Sequence, residues 1–229
     1  CLADDMGLGK TIQAIAALRV LIHLRRVEKA IVVAPASLLS QWRHELERWA
    51  PELRVTVVRG PQHDRLRLWG GRGHIWIVSY ETLRQDVDPL SRYGPCAVAW
   101  DVAILDEAQK IKNPSTRARQ ACKSLVRQRA WALTGTPLEN SIDDLSSIVQ
   151  FLTPLVRDEK SPALLMGSQL LDRHRELQLR RRKADVLEDL PAKSVNDAWL
   201  QLAGEQHASY VRAERDGVVH LRELGEEVT

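Results

Sequence analysis

The chain has 229 residues, 44% of them hydrophobic and 28% charged, which is enough for one large α/β domain with a full core. Its formal net charge of +3 does not by itself indicate nucleic-acid binding, so any basic surface must be local. Three scattered cysteines without a C-x-x-C pair argue against zinc and disulfides, and no apolar run is long enough to span a membrane. We expect a soluble intracellular protein without a signal peptide. Because the chain opens apparently inside a strand, we also expect a fragment of a longer one.

The first motif in the chain is a glycine-rich stretch that ends in G-K-T. Gly7 and Gly9 would let backbone N–H groups approach negatively charged oxygens. Lys10 is placed to reach the β- and γ-phosphates of a nucleotide, and the Thr11 hydroxyl to ligate Mg²⁺. A helix predicted over 11–25 would point its positive end at these phosphates. Because Asp4 stands where the general phosphate-loop pattern has its first glycine, a plain helix start after a glycine turn remains the alternative.

Five short β-rich runs alternate with segments of helical periodicity. This alternation predicts a mostly parallel sheet with helices on both faces. One helical face carries apolar residues four and three apart, while Arg43 and Glu47 pair on the opposite face. We interpret the tryptophans in apolar patterns as core residues: Trp42, Trp49, Trp76 and Trp131. The predicted strands are 30–34, 54–58, 74–78, 101–105 and 130–134.

After Pro154 the pattern changes. Residues 155–179 carry no strand signal, 195–202 could form one more strand, and 204–224 a final, mostly polar helix. We therefore predict an α/β lobe over 1–154 and a mainly helical connector over 155–229.

Several motifs fall at predicted strand ends, where an open parallel sheet places its ligand. Asp106 is placed to hold Mg²⁺ through water, and Glu107 to orient or deprotonate an attacking water. Two hydroxyls, those of Thr134 and Thr136, lie at the end of the strand predicted over 130–134. The loop at 33–37 could hold a phosphate backbone through its N–H and hydroxyl groups. Taken alone, an Asp-Glu pair is also common at helix N-caps, and the hydroxyl motif could be a plain loop.

Five motifs, in this order, resemble the first motor lobe of the Swi/Snf family of DNA-dependent ATPases, within the helicase superfamily of the DEAD/DEAH-box enzymes. They are D-D-M-G-L-G-K-T, V-A-P-A-S-L-L-x-Q-W, S-Y-E-T-L, L-D-E-A-Q-x-I-K-N and A-L-T-G-T-P-L-E-N-S. The later R-R-R-K-A-D-V-L-E-D-L-P-A-K at 180–193 is similar to the family's segment that closes this lobe.

The resemblance implies a RecA-like P-loop NTPase lobe that uses ATP and Mg²⁺. It also implies duplex DNA, a DNA-bound protein or nucleoprotein complex, and a second RecA-like lobe of the same full-length chain as partners. The location would be the cytoplasm at the nucleoid, or the nucleus in a eukaryote. By motif, the catalytic residues would be Lys10, Asp106, Glu107 and Gln109; the nucleotide-binding residues Gly7, Leu8, Gly9, Lys10 and Thr11; and the Mg²⁺ ligands Thr11 and Asp106. Coupling residues would be Thr134, Gly135 and Thr136, and DNA-contact candidates Pro35, Ser37, Ser79, Tyr80, Thr82 and Lys112.

The departures from the family pattern limit these expectations. Gln109 replaces the histidine of a DEAH box, and 155–179 is short for a helical protrusion. We also expect the family's adenine-recognising segment and its arginine finger to be missing from these 229 residues. We therefore expect the fragment alone to be inactive. An RNA helicase lobe and a non-hydrolysing scaffold are the alternatives; the intact lysine, threonine and carboxylates of the motifs argue against the scaffold.

The sequence leaves the roles of two basic stretches open. Arg119, Lys123 and Arg127 fall four apart on one helical face, which is either a solvated surface or a DNA contact. The run at 180–183 could touch phosphate or serve as a nuclear address, but a structural position at the junction of the lobes is preferred.

Overall fold

The computed structural model describes residues 1–88, 91–113, 116–135, 142–153, 176–186, 196 and 203–223. Its centre is a five-stranded parallel sheet in the order β2-β3-β1-β4-β5. The strands are β1 Ala30–Ala34, β2 Val55–Val58, β3 Ile75–Ser79, β4 Trp100–Leu105 and β5 Arg127–Ala132. The predicted strand at 130–134 thus begins three residues earlier, at Arg127, and ends earlier.

Helices follow the strands as the periodicity predicts. They are α1 Lys10–His23, α2 Leu39–Trp49, α3 Gln62–Trp69, α4 Tyr80–Asp86, α5 Arg117–Lys123, α6 Ile142–Leu152, the single turn α7 Lys183–Val186, and α8 Gly204–Glu223. Short 3₁₀ turns lie at Ala36–Leu38, Pro95–Ala97 and Ala108–Ile111. No helix within the described residues is both long and apolar enough to cross a membrane.

The sheet is covered on both faces because its strands are apolar at successive positions. In β1, Ile31 and Val33 belong to one buried cluster, while Val32 and Ala34 belong to the other. Buried residues of α1 and α2 cover one face, and those of α3 to α6 cover the other. This arrangement is typical of parallel sheets and confirms the predicted fold class.

One of the four tryptophans assigned to the core is wrongly assigned. Trp42 and Trp76 are 1% exposed, and Trp131 packs partly buried against the core, but Trp49 is 42% exposed. Its indole nitrogen donates to the Glu45 carboxylate at 2.9 Å, one turn earlier on α2, so the ring lies along the helix surface. The predicted pair on the same helix is present, with Arg43 Nε 2.8 Å from Glu47 Oε1.

The chain divides into two compact units, Cys1–Glu188 and Asp189–Thr229. The second unit contains α8, whose side chains described over 204–217 are exposed apart from the half-buried Val211, as its polar sequence indicates. The predicted lobe boundary at 154 remains a prediction, and most of the predicted strand at 195–202 lies outside the described residues.

Two isolated bridges extend the sheet beyond β5. Leu2 pairs in parallel with Leu133 on one side and with Leu179 on the other. The glycine-rich stretch leaves the sheet directly after this point, so its start is held between the end of β5 and the segment at 179–183.

Candidate active site

A cleft of about 340 Å³ lies where the glycine-rich stretch meets the carboxyl end of β4. Gly7, Gly9 and Lys10 line one side, and Asp106 and Glu107 line the other. Two motifs separated by about a hundred residues in the chain therefore share one concave surface. The lining also includes Met6, Thr11, Ile12, Leu38, Gln41, Trp42 and Glu45.

The glycine-rich stretch needs its glycines for backbone conformation. Gly7 and Gly9 adopt φ of 85° and 74°, in the left-handed region that side chains with a Cβ disfavour. Gly9 also forms the N-cap of α1 without any side-chain cap. The first-turn N–H groups of this 14-residue helix are thus directed at the cleft, where a helix N-terminus favours an anion.

The side chain of Lys10 folds back across the loop. Its Nζ donates to the backbone carbonyl oxygens of Asp4 at 2.8 Å and Asp5 at 3.2 Å. The ammonium charge is thereby held inside the cleft, and its bonding partners among the described residues are neutral acceptors. A phosphate oxygen would be a stronger, charged acceptor for the same donor.

Asp106 is the most highly connected carboxylate of the cleft. Its Oδ2 accepts from Trp42 Nε1 at 2.7 Å, its Oδ1 accepts from the Glu107 amide at 3.0 Å, and its backbone oxygen accepts from Tyr80 Oη at 2.8 Å. Burial raises the pKa of Asp106, the bond from Trp42 opposes this rise, and the neighbouring Glu107 charge adds to it. Helices α2 and α4 and strand β4 therefore converge on one residue.

Glu107 has a strained backbone and a fixed carboxylate. Its φ of 50° is left-handed, which costs a non-glycine residue on the order of 1–2 kcal/mol. The carboxylate accepts a short hydrogen bond from Gln109 Nε2, and Gln109 Oε1 accepts from Thr134 Oγ1 at 3.0 Å. Such strain persists where the surrounding contacts over-determine the conformation, as at functional sites.

The predicted coupling motif lies next to the glycine-rich stretch. A Cβ at Gly135 would lie 2.8 Å from Met6 Cγ, so only glycine permits this close approach. Thr134 joins the site through Gln109, whereas Thr136 lies outside the described residues.

The DNA-contact candidates divide into exposed and internal positions. Ser37 and Lys112 are exposed, and Pro35 and Thr82 are half-buried. Ser79 is 4% exposed, and its Oγ accepts from the Thr82 amide at 3.0 Å as the N-cap of α4. Tyr80 is 3% exposed, and its hydroxyl is bonded to Asp106, so its ring is a core element. The assignment of the Tyr80 side chain to a DNA surface is corrected accordingly.

The three cations predicted to share a basic helical face, Arg119, Lys123 and Arg127, are half-buried and bonded to α6. Arg119 Nη2 and Lys123 Nζ both donate to Gln150 Oε1, at 2.7 and 3.0 Å. The Arg127 guanidinium lies 4.2 Å from the Phe151 ring centroid and donates to the Phe151 carbonyl at 2.7 Å. Burial lowers the pKa of Arg127 to about 10. These cations join α5 and β5 to α6, a role in the fold that the sequence interpretation of this face did not include.

The sequence analysis missed an ion pair beneath the glycine-rich stretch, between the buried Asp4 and the half-buried Arg181. The Asp4 side chain is fully buried, and the Arg181 guanidinium donates to both of its oxygens, while the Arg181 amide donates to Oδ1 at 2.9 Å. Burial alone raises the pKa of Asp4, but the hydrogen bonds from Arg181 and Gln13 outweigh it and hold the pKa below its usual value. The Lys183 amide donates to Asp5 Oδ2 at 3.0 Å. The sequence features that could have indicated this pair were the adjacent carboxylates of Asp4 and Asp5 and the basic run at 180–183.

Together, the parallel sheet, the glycine-rich loop before a helix and the acidic strand end define a nucleotide-binding lobe of the RecA-like class. The family model described as the SNF2-related domain matches residues 1–228. The chain therefore belongs to the SNF2-related family, and the resemblance to Swi/Snf ATPases is confirmed.

The relatives give this family membership its detail. The chain is 34% identical to an uncharacterized ATP-dependent helicase of Mycoplasma pneumoniae over 97% of the chain and 22% of that protein. It is 33% identical to the putative ATP-dependent helicase/translocase YwqA of Bacillus subtilis over 98% of the chain and 26% of that protein. The Sulfolobus solfataricus SWI2/SNF2 ATPase core in complex with dsDNA matches with a TM-score of 0.68 at 33% identity, over all of this chain and 49% of that one. The chain thus spans about a quarter of the length of these curated relatives.

Arg181→Ala is expected to lower the thermal stability of the protein and to weaken ATP binding, because it leaves the Asp4 carboxylate buried without its counter-ion. Arg182→Ala removes a neighbouring exposed arginine and serves as the matched control. Thermal unfolding and titration with a fluorescent ATP analogue measure the two effects. Adding Asp4→Asn to Arg181→Ala should restore part of the stability, since no charge then remains buried. Equal behaviour of the two arginine variants would contradict this account.

Proposed function

We propose that the chain is the ATP-binding first lobe of a DNA-dependent ATPase that translocates on duplex DNA and remodels or displaces proteins bound to it. One observation carries the proposal: Lys10, Asp106 and Glu107 line a single cleft, and Gln109 links that cleft to Thr134. Relatives named as a helicase/translocase and as the chromatin remodeling factor mit1 of Schizosaccharomyces pombe support the same class of activity.

The residues of the cleft fit a triphosphate with its metal ion. Lys10 already directs its ammonium into the loop, and the loop is open at Gly9, where a Cβ would meet no atom within 4 Å. At Gly7 a Cβ would lie 3.3 Å from Lys183 Nζ, so a second ammonium group lies against the loop. Lys10 and the first-turn amides of α1 would hold the phosphates, and Thr11 and Asp106 would hold Mg²⁺. Bound Mg²⁺ would neutralise negative charge on the phosphate oxygens.

Glu107 is proposed as the residue that orients the attacking water and accepts its proton. Its carboxylate is fixed by Gln109 through one oxygen, which leaves acceptor capacity for a water. Gln109 and Thr134, with Gly135 and Thr136, would couple the state of the nucleotide to the grip on DNA.

We propose that duplex DNA lies across the loops that follow β1 and β3. Pro35 and Ser37 belong to the first loop, and Thr82 belongs to the start of α4. Lys112 lies a few residues after the acidic motif in the sequence. Contacts of this type would be made to phosphates and would be independent of base sequence. We further propose that a second RecA-like lobe of the full-length chain acts together with this one on a nucleoprotein substrate. The protein would be located at the nucleoid, or in the nucleus of a eukaryote.

Variants of the cleft test the chemistry in the full-length protein. Lys10→Ala should weaken ATP binding and stop turnover together, because the cation that meets the phosphates is lost. Glu107→Gln keeps the shape of the side chain but cannot accept a proton, so ATP should bind while turnover falls about 10²- to 10⁴-fold. Nucleotide titration and steady-state ATPase assays with duplex DNA, single strands and RNA measure these effects.

Near-normal turnover by Glu107→Gln would refute the base assignment. Stimulation by RNA rather than duplex would favour an RNA helicase lobe, and ATP-independent DNA binding without any hydrolysis would favour a scaffold.

A pH profile tests the environment of Asp106. Trp42→Phe removes the hydrogen bond that favours the ionised carboxylate, so the pKa of Asp106 should rise further above its usual value. Because Mg²⁺ requires the ionised form, the acidic limb of the ATPase profile should move to higher pH. Trp76→Phe removes an equally buried indole, bonded instead to the Leu68 carbonyl, and is the matched control. A limb that moves to lower pH, or moves equally in both variants, would contradict the assignment.

A further inference from the structure

The amino ends of the strands, opposite the ATP cleft, carry a row of exposed cations. Ala30, Val55, Ile75, Val102 and Arg129 lie level with one another across the sheet, which fixes what lies at this edge. Lys29 and Arg54 directly precede β1 and β2, and Arg129 Nη1 donates to the Arg26 carbonyl at 3.5 Å. We name this row the amino-edge band; it consists of Arg25, Arg26, Lys29, Arg54, Arg72 and Arg129, all exposed.

A cavity of about 480 Å³ lies within the band. Arg25, Lys29, Arg54 and Arg72 line it, and Glu28 is the one carboxylate among its lining residues. Within the described parts of the chain, none of these four cations forms an ion pair. The nearby Asp101 carboxylate is already bonded to the amides of Glu28 and Lys29, at 2.7 and 3.0 Å. Positive charge therefore exceeds negative charge at this surface.

The backbone holds two of these arginines in place. Arg25 has a φ of 54° after the end of α1, with its amide 3.0 Å from the Ile22 carbonyl and the Arg26 amide 2.9 Å from the Leu21 carbonyl. Glycine usually occupies such a position, so the backbone of Arg25 is strained. The side chain held by this strained backbone lines the cavity. Gly71, whose Cβ would lie 3.2 Å from the Leu68 carbonyl, permits the tight turn that presents Arg72.

The negative end of the α1 dipole explains cations near its last turn, namely Arg25 and Arg26. It does not explain Arg54 and Arg72, which come from two other segments and line the same cavity. A shared anionic ligand would account for all four cations that line the cavity, Arg25, Lys29, Arg54 and Arg72.

We propose that the amino-edge band is a second binding surface for the phosphate backbone of a nucleic acid, distinct from the ATP cleft and from the loops at the carboxyl edge. The band crosses five strands, or roughly 19 Å at about 4.8 Å per strand, which suits a row of phosphates better than a single small anion. Duplex DNA presents one charge per about 1.7 Å of axis, so several phosphates fall within that span. One lobe would then bind two segments of DNA, at opposite edges of its sheet.

The test uses the full-length protein and 12-bp duplexes of mixed sequence. The double variant Arg54→Glu/Arg72→Glu should bind one duplex fewer than the wild type. The slope of its logarithmic binding constant against the logarithm of salt concentration should be less steep by about 2, since two phosphate contacts each contribute about 0.9. Its duplex-stimulated ATPase rate at saturation should stay unchanged, because the ATP cleft is untouched. Arg43→Glu/Arg48→Glu on α2 makes the same change of charge away from the band and is the control. Failure of the ATPase proposal would appear as lost stimulation in the wild type, which is a separate readout.

Thermal unfolding checks that each variant folds. If Arg54→Glu/Arg72→Glu does not fold, the charge-neutral double variant Arg54→Gln/Arg72→Gln takes its place. Equal loss of duplex binding in the edge and control variants would overturn the proposal. Tripolyphosphate that competes as well as duplex at equal phosphate concentration would identify a small anion as the occupant. Polyglutamate that competes as well as duplex would identify an acidic protein segment. Either result would overturn the assignment to nucleic acid.

Discussion

The buried carboxylate of Asp4 anchors the glycine-rich loop that is proposed to bind ATP. It occurs where the general phosphate-loop pattern has glycine, and its burial without water would be costly if Arg181 did not bind both of its oxygens. Leu2, two residues earlier, bridges Leu133 and Leu179. The loop is therefore attached both to the end of β5 and to the segment that carries Arg181. The bridges of Leu2 hold the start of the loop at the edge of the sheet, and the ion pair between Asp4 and Arg181 holds the loop itself.

Asp106 has a comparable position on the other side of the cleft. Trp42, which bonds its carboxylate, follows the loop after β1, and Tyr80, which bonds its carbonyl, begins the helix after β3. These are the loops proposed to contact DNA. A displacement of either loop would act directly on the carboxylate proposed to hold Mg²⁺. The structure thus contains a short, buried connection between the proposed DNA surface and the proposed site of hydrolysis.

The sequence predicted the sheet and the cleft well because both depend on local signals. Apolar runs identified the five strands, and the motifs at their ends come together because parallel strands end at the same edge. The contacts that were missed join distant segments. Arg181 lies 177 residues from Asp4, and Arg119 lies 31 residues from Gln150. No periodicity reveals such partners. The exposed Trp49 shows the same limit, since its position on an apolar stripe does not tell how far the core extends along α2.

The two groups of cations show why local charge cannot be interpreted without topology. From sequence, the group Arg119, Lys123 and Arg127 was considered for DNA contact, with a solvated surface as the alternative, and the amino-edge band was not considered. In the structure α6 supplies an amide oxygen, a carbonyl and an aromatic ring to that group, so its donors are directed inward. At the amino edge the neighbouring carboxylates are few, and Asp101 is already bonded to backbone amides. The same residue type stabilises the fold in one place and leaves an anion-attracting surface in the other, and the difference is whether acceptors lie within reach.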